Sequence, residues 1–95
     1  MEKREAINKL IKEGKKELWV VSIDYIVEDY LWFVYDDLKD LTERVEGMMK
    51  GISTFEKFKE YETPDLSKDY SEWRFSYVED GQECNFKIRF EAIRA

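Results

Sequence analysis

The chain has 95 residues, of which 40% are charged, 43% hydrophobic and 16% aromatic, with a formal net charge of −6 and no histidine. That length suits one domain around a single core, and the aromatic content argues against disorder. The composition excludes more than it assigns. Without histidine the commonest general base and transition-metal ligand is missing, and a lone Cys84 rules out an intramolecular disulfide or a cysteine zinc site. The acidic balance, with no dense basic stripe, disfavours direct binding to nucleic acid through its phosphates.

At the amino end "MEKREAINKL" alternates charges where a secretory signal needs an apolar run, which leads us to expect a cytoplasmic protein. Ala6, Ile7, Leu10 and Ile11 stand at helical spacing over residues 2–13, and Gly14 follows as a C′ residue. The next segment, "ELWVVSIDYIV", is rich in β-formers, with Trp19, Val21, Ile23 and Tyr25 alternating onto one side, so a strand is expected from about Leu18 to Tyr25. Asp24, Glu28 and Asp29 interrupt the apolar region from Leu18 to Tyr35, so it does not read as a membrane span.

Two readings compete for "YLWFVYDDL", residues 30–38. As a strand, residues 30–35 turn back at Glu28-Asp29, pair with residues 19–27 and place Trp32 on the core face with Tyr25. As a helix, Leu31, Val34, Leu38, Leu41, Val45, Met48 and Ile52 step by three and four without a break. Acids suit a helix N-terminus, and Glu28-Asp29 lacks the glycine of a good hairpin turn. The preferred expectation is therefore one long helix over residues 28–51, closed by Gly51.

Further on, Ser53 and Glu56 have the spacing of a capping box, which predicts a short helix to about Tyr61, stopped by Thr63-Pro64. Asp80-Gly81 is a type I′ turn dipeptide between "EWRFSYVE" and "QECNFKIRF". A two-residue loop there pairs Glu79 with Gln82, Tyr77 with Cys84, Phe75 with Phe86 and Trp73 with Ile88, all six of the latter on one face. Ser76 with Asn85, Glu72 with Arg89 and Val78 with Glu83 fall on the other. The expected architecture is α+β. It has an antiparallel sheet of three strands, four if residues 30–35 are extended, ending in this hairpin, and one face covered by the long helix and two short ones.

P-loop, dinucleotide-binding, nucleophile-elbow, CxxC and HExxH patterns are all missing. Neither an enzyme nor a cofactor is expected. The acids concentrate between 28 and 46, where Glu28, Asp29, Asp36, Asp37, Asp40, Glu43 and Glu46 face only Lys39 and Arg44. On the long helix, Asp29, Phe33, Asp36, Asp40 and Glu43 share one sector, with Trp32 at its border. Aromatic anchors within a charged rim describe a partner-binding surface, and its complement is a basic protein or nucleoprotein. One form of this is a nucleic-acid mimic, with carboxylates from Asp29 to Glu43 strung over about 21 Å of helix axis. The same face has plainer readings: a solvated surface, acids neutralised by Lys12, Lys15 and Lys16, or a divalent cation on Asp36, Asp40 and Glu43. The alternative role is a small homodimer or higher homo-oligomer joined through its sheet edge. Scarce amides (Asn8, Gln82, Asn85) beside abundant Glu and Lys resemble the usage of hyperthermophile proteins.

Overall fold

The computed structural model describes residues 2–94 and is an α+β fold: α1 (Lys3–Lys12), β1 (Glu17–Asp24), β2 (Leu31–Tyr35), α2 (Leu38–Ile52), β3 (Glu56–Glu62), β4 (Tyr70–Glu79) and β5 (Gln82–Arg94). The strands form one antiparallel sheet in the order β2-β1-β5-β4-β3. The sheet has five strands and two helices flank it, where three or four strands and three helices were expected.

The first helix forms as its spacing predicts. Gly14, at φ 95, lets its own N–H donate to the Ile11 carbonyl and that of Lys15 to the Leu10 carbonyl, the paired bonds of a Schellman ending. The C-terminal hairpin has the predicted register throughout, from Glu79↔Gln82 to Glu72↔Arg89. Asp80 and Gly81 both take positive φ, 52 and 77, as a type I′ turn requires. A Cβ added at Gly81 meets nothing within 4 Å. Gly81→Ala is therefore expected to destabilise the fold through backbone strain alone, by about 1 kcal/mol, readable as a lower urea midpoint at unchanged slope.

The expected helix over residues 28–51 is instead a strand and a shorter helix. Trp32 to Tyr35 are β-branched or aromatic, and β1 has a free side that needs a ladder partner. The break falls at Asp36-Asp37. Asp37 caps α2, its carboxylate accepting from the Lys39 N–H at 2.9 Å, so the acids begin the helix rather than continue one. α2 runs to Ile52 with Ser53 as its C-cap, so Gly51 lies inside the last turn.

The predicted capping-box helix is also replaced. Ser53 Oγ donates back to the Lys50 carbonyl, and Glu56–Glu62 pairs with β4 as an edge strand. β4 would otherwise carry an open ladder along its whole length, and that non-local need overrides the local signal.

Each face of the sheet has its own helix. On the inner face, α2 sets Leu41 and Val45 against Trp19, Val21, Trp73, Phe75, Ile88 and Phe90, with Phe58 and Leu66 at the margin. On the outer face, Leu18, Val20 and Ser22 are buried on the opposite side of β1, and Lys3 of α1 donates to Ser22 Oγ at 3.3 Å. Helices are therefore not confined to one face. Because "LWVV" is apolar on both sides, β1 belongs in the interior of a two-sided sheet. The molecule measures 46 × 25 × 17 Å, and its Cα radius of gyration is 14.4 Å. A compact chain of this length has about 12 Å, so the molecule is elongated, as its 46 Å longest extent also shows.

Candidate functional site

The six residues assigned to one helix face do not share a surface. Asp29 lies in the β1–β2 loop at φ 55. Its carboxylate is paired with Lys3 at 3.0 Å and with Arg89, which hold its carboxyl below the usual range, the Lys3 hydrogen bond contributing most. Asp36 lies past the end of β2 and is bound to Lys15 at 2.7 Å. That hydrogen bond pulls the Asp36 pKa down and pushes the Lys15 pKa up. The anticipated neutralisation by the first helix region thus applies to Asp36.

Trp32 and Phe33 point to opposite faces. Trp32 is opposite Ser22 on the outer face, so it does not join Tyr25 on the core face as the strand reading had it. Phe33 is opposite Val21 on the inner face. Asp40 and Glu43 are exposed on α2, where helical geometry puts Asp40 on the flank toward β2 and Glu43 on the outer surface. A carboxylate row along one helix from Asp29 to Glu43 therefore does not exist, and the nucleic-acid mimic loses the helical row from which it was argued. Asp36, Asp40 and Glu43 do not share a helical face either. Among the described residues no group of three or more potential ligands is arranged to hold a metal ion.

What the fold assembles instead is an apolar groove between β2 and α2. Val21, Ile23, Leu31, Phe33, Ile88 and Phe90 make its floor, and Leu41, Arg44, Val45 and Met48 its wall, enclosing about 320 Å³. Leu31 is 47%, Phe33 45% and Met48 38% exposed, so the groove stands open along the edge of the sheet. Ile26, Val27 and Tyr30 of the β1–β2 loop, which leads into Leu31, are exposed apolar residues as well. Contiguous exposed apolar area of this kind marks contact sites. Acids stand at both ends of β2: Glu28 before it, 77% exposed and 3.6 Å from Arg89 Nη1, and Asp37 after it, with Asp40 on the helix flank.

Of the residues singled out from the sequence, Phe33 alone contributes to the groove floor. Leu31, Met48, Ile26 and Val27 were missed. Ile26-Val27, two apolar residues in a loop bounded by acids, was the available signal.

The hairpin aromatics belong to the core. Trp73 and Phe75 are 0% and 2% exposed with ring centroids 4.3 Å apart, so neither can stack on a base. Arg89 is held by Asp24, and Cys84 is half-buried beside Tyr77 on the same face. No helix among the described residues is long and apolar enough to cross a membrane. The fold and groove together describe an α+β fold with an apolar groove along the β2 edge of its sheet. No protein-family model, curated protein or solved structure matches the chain.

Proposed function

We propose that this is a non-enzymatic cytoplasmic interaction domain that docks a basic protein or nucleoprotein at the β2–α2 groove, without a cofactor and without touching nucleic acid or membrane itself. The observation that carries this reading is the open groove itself, with Leu31, Phe33 and Met48 exposed between acids at either end. Large apolar side chains in a half-formed pocket supply affinity, and the acids speed encounter and set orientation. A net charge of −6 adds long-range attraction for a basic partner.

The test is capture from a cell lysate at low salt, followed by pairwise binding of each captured protein in purified form. The wild type is compared with Phe33→Ser/Met48→Ser, a pair of exposed positions whose change leaves the core intact. The expected result is a basic protein whose binding falls with salt and weakens at least about tenfold in the variant, the equivalent of one modest hot spot. Equal binding by wild type and variant sinks the reading.

A further inference from the structure

The two edges of the sheet are built differently. β3 carries features that keep an edge from pairing: it bears Lys57 and Lys59, Lys57 has φ 55, and its register slips between Glu56 and Lys59 and again between Glu60 and Glu62. β2 has none of them. Its sequence LWFVY holds unbroken register with β1, contains no lysine, proline or bulge, and has no strand on its other side among the described residues. A regular apolar edge of this kind is a template for another strand.

We infer that an extended segment of a basic partner adds to β2 as a sixth strand, an inference that rests on the docking reading above. The added strand's side chains alternate between the two faces of the sheet. Those on the inner face lie over Leu31, Phe33 and Met48, and those on the outer face lie beside Trp32. Arg44 is a cation on the groove wall, so the middle of the segment is uncharged. The acids at the ends of β2 call for Lys or Arg at both ends of the segment.

A second copy of this chain suits the edge less well. Antiparallel pairing of two β2 strands about Phe33 sets Tyr30 against Asp36 and Asp29 against Asp37 at each end of the ladder. Lys3, Arg89 and Lys15 already serve Asp29 and Asp36. Such a dimer therefore gathers acids with no new cations to answer them, whereas a segment with basic ends supplies them.

The probe is the peptide acetyl-Lys-Lys-Val-Thr-Ile-Thr-Val-Lys-Lys-amide, titrated into the uniformly ¹⁵N-labelled full chain, with amide hydrogen exchange read at residues 31–35. At saturation, alternate amides of β2 are expected to exchange at least tenfold more slowly. Two N-methylated peptides, blocked on alternate amides along one edge or the other, are expected to differ at least tenfold in affinity, since only one edge meets β2. Peptide binding without protection of β2, or equal affinity of the two methylated peptides, overturns strand addition while leaving groove docking in place. So does failure of the peptide beside a captured basic protein that still needs Phe33 and Met48. Failure of the peptide with no groove-dependent basic protein captured removes both readings. A dimer by light scattering whose β2 amides are protected without peptide gives the edge to a second copy and likewise overturns the inference.

Discussion

Trp73→Ala is expected to lower the unfolding free energy by about 3–5 kcal/mol, the range for a large aromatic truncated in a core. Trp73 is fully buried at the middle of the inner face, 4.3 Å from Phe75 between ring centroids and opposite Ile88 in the ladder. Its indole N–H donates to Glu60 Oε2 of β3 at 2.8 Å, so the same side chain also fastens the far edge strand. A domain of this size has only about 5–15 kcal/mol in total, and the variant should be largely unfolded or loosely packed near 37 °C. Urea denaturation followed by the fluorescence of Trp19 and Trp32 reads the loss. Trp73→Phe separates the two roles: most of the apolar burial returns, while Glu60 keeps the Thr63 hydroxyl on Oε1 and loses the indole N–H on Oε2, a residual cost of about 1 kcal/mol. A Trp73→Ala protein within about 1 kcal/mol of wild type would mean that the sheet is not stabilised from its centre.

The parts of this fold that the sequence shows are those decided within a few residues. Asp80-Gly81 sets a turn, and the turn with period-two alternation sets every pair of β4 with β5. Gly14 ends α1 for the same kind of reason. The misread parts are those where a local signal competes with a distant partner. Leu31 and Val34 fit the helical series that truly begins at Leu38, because a step of three along a short apolar run is also consistent with a strand. Asp36-Asp37 marked the boundary, but an acidic pair suits a helix start just as well as an acidic face. Ser53 to Glu56 has the form of a cap, yet β4 needs an edge strand, and that need arises about twenty residues away in sequence.

Charge was the least legible feature. Asp29 looked uncompensated because its partners, Lys3 and Arg89, come from other elements, and for Asp36 the sequence offered Lys15 only as one of three lysines that could neutralise the acids. No spacing rule within residues 28–46 could have found them. The candidate surface consequently shifts from a carboxylate face with aromatic anchors to an apolar groove with acids at its ends. Phe33 survives the change because its exposure depends on β2 being the last strand, whichever residues lie beside it.

Arg89→Met is expected to cost about 2–3 kcal/mol, at or just below the range of about 3–5 kcal/mol for breaking a fully buried ion pair from one side. Arg89 is 20% exposed and donates through Nε and Nη2 to the two oxygens of Asp24, at 3.0 and 3.1 Å. The Asp24 side chain is only 12% exposed. Asp24 keeps two contacts in the variant, the Asp29 N–H at 2.7 Å and Lys87 Nζ at 3.8 Å, which is why the loss falls short of that for an isolated buried charge. Arg89→Met/Asp24→Leu removes the stranded carboxylate and should recover at least about 1 kcal/mol of the single-variant loss, the size of coupling expected between residues in contact. Acid adds a second readout. Asp29 has a folded-state pKa below its unfolded value near 3.8, so its contribution is complete above that value and disappears as pH falls through the folded-state pKa. Lys3 contributes most to that shift and Arg89 less, so Arg89→Met should flatten the acid limb of the stability profile below about pH 4 without abolishing it. The cluster also determines how the β1–β2 loop delivers the chain into β2, since Arg89 grips Asp24 on one side of that loop and Asp29 on the other. Faster hydrogen exchange at Leu31 and Trp32 in Arg89→Met, beside unchanged exchange in the β4–β5 hairpin, would identify the network as the anchor of the open edge. Uniformly faster exchange would reduce it to one more contributor to global stability.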